Sequence, residues 1–189
     1  MSAQDSKLFV ISGPSGAGKG TLVTRVRERR SNLGLTVSAT TRAPRKGEVD
    51  GVNYFFLTRE EFDRRVANGE FVEWAEVHGN CYGTLVSEVT SKLASGASLI
   101  LEIDVQGALQ VKERFSEAVL IFIKPPSLEV LRERLVGRGT ETPETIELRM
   151  ANAADELALA DRYDDVVVND DLDRATDELV RVLDMHERI

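Results

Sequence analysis

The chain has 189 residues, 42% of them hydrophobic, so it can bury the core of one domain. Its net charge of -8 argues against general attraction to nucleic acid or to an anionic membrane, and neither is expected as a partner. Cys81 is the single cysteine, which excludes an intramolecular disulfide. No apolar run approaches the ~18 residues of a membrane span and the N-terminus lacks signal-peptide features, so we expect a cytoplasmic protein.

The first predicted elements are a strand, a glycine-rich loop and a helix. KLFVIS is a short apolar run with β-branched residues, and KGTLVTRVRERR has apolar residues at helical spacing. Between them GPSGAGKG, Gly13 to Gly20, matches the phosphate-binding pattern, in which backbone N–H groups surround phosphate oxygens and Lys19 adds a charge. A chance glycine turn is the alternative, but the strand-to-helix context favours a phosphate site.

The last residue of this loop, Gly20, stands where the pattern has a Ser or Thr as magnesium ligand. Thr21 points about 100° away along a helix, so it is no direct substitute. We predict that no side chain binds Mg²⁺ directly, and that phosphate oxygens and waters hold it, with Glu102 and Thr21 acting through water. The absence of a hydroxyl at residue 20 argues against a GTPase or an ATP-driven motor more strongly than it argues against a kinase.

Residues 38–87 differ in character from the segments around them. VNYFFLT and EFVEWAEVHG are predicted as short strands, and Thr58 and Glu61 form a capping box that starts a helix. Asn68 and Gly69 end that helix. We expect a small mixed α/β subdomain beside the core sheet.

Strand and helix alternate again in ASLILEID, VQGALQVKERF and AVLIFIK, and DVVVN precedes a final amphipathic helix. These units predict an α/β fold with a parallel five-stranded sheet flanked by helices. Between the last two strands, Ser127 caps a helix that Gly137 and Gly139 interrupt, and Thr142 starts another, which is typical of a helical lid. The predicted parts of this single domain are a core at about 1–37, 88–128 and 156–189, the subdomain at 38–87 and the lid at 129–155.

Several stretches in chain order carry a resemblance to a known family. They are GPSGAGKG, SATTRAPRKGEVDGVNY, GEFVEWAEVHGNCYGT, LILEIDVQGA, RLVGRGTET and VVVNDDLDRA. With them the chain resembles guanylate kinases, nucleoside monophosphate kinases with a phosphate loop, from about Lys7 to Leu183. The resemblance implies transfer of the γ-phosphoryl group of ATP to GMP, and to dGMP, giving ADP and GDP in purine metabolism and GMP recycling. ATP and GMP would be the partners and Mg²⁺ the cofactor.

The resemblance also implies roles for individual residues. The positions that match ATP-binding residues are Gly13, Pro14, Ser15, Gly16, Ala17, Gly18, Lys19, Gly20, Thr21 and Asn169. Those that match GMP-binding residues are Ser38, Arg42, Arg45, Tyr54, Glu73, Tyr82, Thr84 and Asp104. The catalytic set is Lys19, Arg42, Arg134, Arg138 and Arg149.

The residue types of the GMP set make chemical sense. Guanine has donors at N1 and N2 beside an acceptor at O6, so the carboxylate of Glu73 and the hydroxyl of Ser38 would select it over adenine. Arg42 and Arg45 offer planar donor forks to a phosphate. For TTRAPRK taken alone, a solvated basic turn is the alternative.

Two further groups of residues have structural alternatives. Glu102 and Asp104 stand two apart on a predicted strand and would face the same side of the sheet, with Asp104 the stronger candidate for guanine. A structural salt bridge is the alternative for Glu102. Arg134 and Arg138 are four apart on one helix face, where arginines are often solvated, while cations around the transferring phosphoryl group supply much of the catalysis in such enzymes.

Other functions and roles stay open at this point. One alternative is a guanylate-kinase-like binding module of the kind that scaffold proteins use to hold phosphorylated peptides, although such modules have degraded phosphate loops. Another is a kinase of dAMP or of a ribose phosphate. His78 and His186 lack metal-ligand companions and are interpreted as structural or exposed, and Trp74 as a packing residue.

Overall fold

A computed structural model describes residues 6–77, 79–137, 139 and 142–188. Its larger sheet has five parallel strands in the order β2-β7-β1-β8-β9. These strands are β1 (Leu8–Ser12), β2 (Gly34–Leu35), β7 (Leu99–Glu102), β8 (Val119–Lys124) and β9 (Asp165–Val168). The predicted α/β class and the five-stranded parallel sheet are confirmed.

Both faces of this sheet are covered, because alternate strand residues point to opposite sides. Phe9 and Ile11 pack in one buried cluster with helices α1 and α7, whereas Leu8 and Val10 pack in another with α3 and α4. The helices are α1 (Lys19–Arg29), α2 (Arg59–Ala67), α3 (Val86–Ala94), α4 (Val105–Arg114), α5 (Leu128–Gly137), α6 (Pro143–Leu157) and α7 (Leu172–Glu187), with a 3₁₀ turn at Ala160–Arg162.

A second, mixed sheet of four strands has the order β4-β3-β6-β5. Its strands are β3 (Ala39–Thr40), β4 (Phe55–Phe56), β5 (Phe71–Val77) and β6 (Asn80–Leu85). Its small core stacks Phe62 of α2 on Phe71 and includes the fully buried Cys81. The helix cap is as predicted, since Thr58 Oγ1 accepts from the backbone N–H of Glu61 over 3.1 Å.

Helices α5 and α6 form a pair beside the phosphate loop, with Leu131, Leu135 and Ile146 buried between them. Their starts are also as predicted: Ser127 Oγ accepts from Val130 N–H over 3.2 Å and Thr142 Oγ1 from Thr145 N–H over 3.3 Å. Over the part of the chain that the structure describes, no helix is both long and apolar enough to cross a bilayer.

Some local predictions were wrong. The strand predicted as ASLILEID ends at Glu102, so Glu102 and Asp104 do not share a strand. Asp104 instead caps α4, because its Oδ1 accepts from the Gly107 N–H over 2.7 Å. VNYFFLT is a strand only at Phe55–Phe56, since turns occupy the residues before it. Helix α3 and strands β2, β3 and β6 were not predicted.

The two histidines and the tryptophan are not predicted to take part in catalysis or binding. His78 lies outside the described residues. His186 on α7 bonds Asp165 on β9 over 2.7 Å, which is a structural contact. Trp74 is 41% exposed and its ring meets Phe62 edge-on.

Candidate active site

The predicted phosphate loop connects β1 to α1. Gly16 and Gly18 have φ values of 93° and 94°, which favour glycine because a Cβ would be strained there. Lys19 begins α1, and its Nζ donates to the carbonyl oxygens of Gly13 over 2.6 Å and Pro14 over 3.1 Å. The lysine charge therefore lies over the loop, next to the N-terminal end of a helix, where an anion is favoured.

Two of the predicted lid arginines contact this loop. Arg134 on α5 donates to the carbonyl oxygens of Asn169 over 2.8 Å and Ala17 over 3.4 Å. Arg149 on α6 donates to Ser15 Oγ over 2.6 Å. Both helices of the pair thus bring a cation to the phosphate loop. Arg138, predicted to act with them, lies outside the described residues.

Asn169, which the family resemblance assigns to the ATP-binding positions, follows β9 and is buried against the same loop. Its Nδ2 donates to Ala17 O over 2.8 Å, and its backbone N–H donates to Lys124 O over 2.8 Å. The side-chain amide therefore ties the last strand to the phosphate loop.

Glu102 occupies the space beside Gly20. A Cβ added at Gly20 would meet the carboxylate oxygens of Glu102 at 3.5 and 3.7 Å, which is ordinary contact. Burial raises the pKa of Glu102, and the charge of Lys19 opposes that rise. Thr21 is exposed on α1. The described residues contain no group of three or more His, Cys, Asp or Glu side chains that could hold a metal ion.

A buried carboxylate lies in the second sheet. Glu73 on β5 is 7% exposed and accepts a hydrogen bond from Thr84 Oγ1 on the paired strand β6 over 2.8 Å. Burial raises its pKa to about 7; the hydrogen bond from Thr84 opposes this rise, and the charge of Asp104 adds to it. A Cβ at Gly107 would lie 3.2 Å from Glu73 Oε2 and 3.3 Å from Asp104 Oδ1, so both carboxylates border one spot.

Arg42, predicted to bind the phosphate of GMP, lies close to Tyr54 and Tyr82. The guanidinium carbon of Arg42 lies 5.4 Å from the centre of the Tyr54 ring, and the Tyr54 and Tyr82 ring centres are 6.2 Å apart. Arg42 forms a bidentate ion pair with Glu48, which is the main cause that raises the pKa of Arg42; a smaller contribution comes from Tyr82. Arg45 is exposed and its backbone N–H also donates to Glu48.

Strand pairing explains why residues distant in sequence meet here. Ser38 immediately precedes β3, and its carbonyl accepts from the N–H of Phe55 over 2.9 Å. Thr40 on β3 pairs with Tyr82 on β6. Thr84 on β6 pairs in turn with Glu73 on β5. The strands of the second sheet therefore bring the predicted base-binding and phosphate-binding residues to one region.

Helix α6 faces both β5 and the start of α4 across an open space. A space of about 450 Å³ lies between β5, the start of α4 and α6, and its lining includes Asp104, Asn152 and Glu156. Burial raises the pKa of Glu156; the charge of Lys19 lowers it and that of Asp104 raises it. The carboxylate of Glu156 on α6 is therefore influenced by one charge from the phosphate loop and one from the start of α4.

The sequence prediction missed two acidic residues of this region. Glu48 follows TTRAPRKG in a loop with no periodic pattern, and an acid six residues from Arg42 is no recognised signal. Glu156 stands on an amphipathic helix, where charge alone indicates a solvated face.

Comparison with known proteins gives a consistent result. The guanylate kinase family model matches residues 5–186. A guanylate kinase of Gloeobacter violaceus is 56% identical over 94% of this chain and 87% of its own length, and one of Halalkalibacterium halodurans is 51% identical over 97% and 90%. A crystal structure of guanylate kinase from Anaplasma phagocytophilum is 36% identical with a TM-score of 0.75, covering 97% of this chain and 87% of that one.

Proposed function

This chain belongs to the guanylate kinase family and transfers the γ-phosphoryl group of ATP to GMP, and we propose that the loop of residues 13–20 and the second sheet form the two ends of the cleft that does so. In this proposal the second sheet, with residues 38–87, binds GMP, and helices α5 and α6, which carry most of the predicted lid at 129–155, close over ATP.

The observation that carries the assignment of the GMP site is the buried carboxylate of Glu73, which borders the same spot as the exposed carboxylate of Asp104. A carboxylate that burial keeps from ionising is stabilised by a ligand that brings hydrogen-bond donors. Guanine supplies such donors at N1 and N2, whereas adenine has an acceptor at N1. Glu73 therefore binds the guanine edge, Thr84 orients its carboxylate, and the hydroxyl of Ser38, just before β3, donates to the O6 acceptor.

The phosphate of GMP then lies at Arg42, Arg45, Tyr54 and Tyr82. Guanidinium forks and phenol hydroxyls are donors that match phosphate oxygens. Two arginines are needed locally because the protein as a whole has a net charge of -8.

At the other end, the loop N–H groups and Lys19 hold the phosphates of ATP. Arg134 and Arg149 already reach the loop, so the charge that develops on the transferring group meets preorganised cations. Phosphoryl transfer leaves little covalent work to the protein, and alignment of donor and acceptor supplies most of the catalysis. Closure of the lid excludes water, which prevents hydrolysis of ATP.

The residues present also fit a magnesium ion beside the loop. Gly20 adds no side chain there, and the adjacent Glu102 carboxylate is the oxygen type that Mg²⁺ prefers. Glu102 would hold the ion through water, with Thr21 and the phosphate oxygens of ATP around it. When bound, Mg²⁺ neutralises charge on the β- and γ-phosphates.

A panel of acceptors tests the assignment of the base. With ATP as donor, release of ADP is measured with GMP, dGMP, IMP, AMP, dAMP and ribose 5-phosphate. We expect GMP to exceed AMP by about 10³-fold or more in kcat/KM, because a site built for donors rejects a base that lacks them. IMP, which keeps N1–H and O6 but lacks the N2 amino group, should lie between them. Equal use of GMP and AMP would contradict the role of Glu73.

A further inference from the structure

Glu48 is a charged residue of the predicted GMP site to which the assignments above give no role. Its side chain is 19% exposed, and it lies three residues after Arg45. We propose that Glu48 is a positioning residue, which holds the guanidinium of Arg42 and the backbone of Arg45 in the arrangement that receives the phosphate of GMP. This rests on the assignment of Arg42 and Arg45 to that phosphate.

The carboxylate of Glu48 bridges two parts of the chain. Arg42 Nη2 donates to its Oε1 over 2.9 Å, and Arg42 Nη1 donates to its Oε2 over 3.1 Å. The backbone N–H of Arg45 also donates to Oε2, over 2.6 Å, while the N–H of Glu48 returns a bond to Arg45 O over 3.0 Å. The side chain of Glu48 therefore fixes the direction of the Arg42 guanidinium and closes the turn that carries Arg45.

The guanidinium of Arg42 is held in place by other contacts as well. Nη1 donates to the carbonyl of Ala43 over 2.7 Å, and the Tyr54 and Phe56 rings lie 5.4 and 5.9 Å from its central carbon. The Nε–H and the second N–H of Nη2 lie outside the bonds to Glu48 and Ala43, and they form one edge of the planar group. Such an edge can donate to two phosphate oxygens at once.

Glu48 has two opposite effects on a bound phosphate. Its negative charge offsets that of an arginine and weakens the attraction for an anion. Its hydrogen bonds fix the Arg42 side chain in advance, so less rotamer freedom is lost when GMP binds. The hydrogen bond from the Arg45 backbone favours the second effect, in which Glu48 fixes the site in advance. A carboxylate that only occupied the phosphate site until GMP displaced it would not also close the turn that carries Arg45.

The test compares Glu48→Gln with Glu61→Gln as a matched control. Glu61 lies on α2 beside the same sheet, and its carboxylate likewise accepts from two arginines, Arg64 and Arg65. For each variant the measurements are kcat, KM for GMP, KM for ATP, Tm, and the inhibition constant of guanosine, which has the base but no phosphate.

We expect Glu48→Gln to raise KM for GMP about tenfold, the scale on which a charge-assisted hydrogen bond acts. KM for ATP, the inhibition constant of guanosine and Tm should stay near the parent values, and Glu61→Gln should change none of these quantities. A lower KM for GMP in Glu48→Gln would mean that the carboxylate competes with phosphate, and would overturn the proposal. Equal weakening of guanosine and GMP would overturn it too, because it would show a purely structural role.

A third variant separates this proposal from the assignment of the phosphate site. If Arg42→Ala leaves KM for GMP unchanged, the site itself is wrongly placed. If Arg42→Ala raises KM but Glu48→Gln does not, only the role of Glu48 fails. Since Glu48 acts through Arg42, adding Glu48→Gln to Arg42→Ala should raise KM by less than the single change does.

Discussion

The two ends of the cleft are built from different kinds of group. At the phosphate loop, Lys19 and Arg134 donate to backbone carbonyl oxygens, so the cations are held by the main chain around the site. At the second sheet, the side chains hold one another: Thr84 donates to Glu73, and Arg42 pairs with Glu48. The phosphate loop therefore presents positive charges that the backbone holds in place, whereas the second sheet presents a specific pattern of side-chain donors and acceptors.

This difference implies a division of labour. Backbone N–H groups and a lysine hold phosphates irrespective of the base attached to them. Discrimination of a base requires buried polar side chains that stay unsatisfied when the wrong base enters. Changes at the loop should therefore slow transfer to every acceptor alike, whereas changes at the second sheet should alter which acceptor is used.

The largest effect is expected at the loop. Lys19→Ala should lower kcat about 10⁴-fold for every acceptor, because a cation beside the transferring phosphoryl group acts on that scale. Tm should change little. Lys112→Ala is the control, because that lysine pairs with Asp164 just before the start of β9, whereas the phosphate loop follows the end of β1. Near-normal turnover by Lys19→Ala would refute the mechanism assigned to the loop.

At the second sheet, Glu73→Gln should lower kcat/KM for GMP about 10³-fold, since hydrogen bonds from guanine to a carboxylate are lost. KM for ATP should be unaffected, which is how the effect differs from that at Lys19. Glu76→Gln is a control on the same strand, where the carboxylate is 48% exposed and pairs with Arg59. Equal loss of GMP and ATP binding would indicate misfolding or a wrong assignment.

The pH dependence should differ between the two ends as well. Because the pKa of Glu73 is raised to about 7, the free protein holds a proton there at lower pH, while guanine requires the carboxylate. Guanosine, which has no titrating phosphate, should bind about tenfold more weakly at pH 6 than at pH 8, as measured by calorimetry. Glu73→Gln should remove this dependence; a dependence that survives the change would belong to another group.

The titration of Glu73 affects the stability of the fold in the direction opposite to its effect on guanosine binding. A carboxyl group whose pKa is higher in the folded than in the unfolded state favours folding most at low pH. Its contribution to the free energy of unfolding is lost as the pH rises from 4.5 to about 7. In its proposed role, Glu73 therefore lowers the stability of the fold at the pH where its ionised carboxylate would bind guanine.

The smallest effect is expected at Gly20. Gly20→Ser should change the Mg²⁺ concentration for half-maximal activity by no more than about threefold, because water and phosphate oxygens already satisfy this ion well. Gly20→Ala adds the Cβ without the hydroxyl and is the matched control, since the space beside Glu102 accepts a Cβ at 3.5 Å. If that Mg²⁺ concentration shifted thirtyfold or more in Gly20→Ser but not in Gly20→Ala, the hydroxyl would be acting as a direct ligand that the parent protein lacks.

The two ends also differ in how far sequence could predict them. The phosphate loop is made of consecutive residues between a strand and a helix, so a local pattern was sufficient. The Glu73–Thr84 contact depends on the pairing of β5 with β6, which periodicity does not reveal, and its residues were assigned only through a family resemblance. Strands β2 and β3 have two residues each, too few for any periodic signal.

Asp104 shows a different limit. The alternation of LILEID extends the strand pattern to residue 104, but its side chain starts the next helix instead. An Asp just before a helical run is a preferred N-cap, so this rule could have corrected the strand end. The pairing of Glu48 with Arg42 has no such rule, because it forms inside an irregular loop.

The fully buried thiol in the core of the second sheet has an experimental use. Cys81 is the single cysteine, and burial raises the pKa of its thiol, so a labelling reagent reaches a reactive sulfur only when that sheet opens. The labelling rate is therefore limited by the openings, local or global, that expose the core of the second sheet. Because Cys81 is the single cysteine, no other residue has to be replaced before the opening of this sheet can be measured.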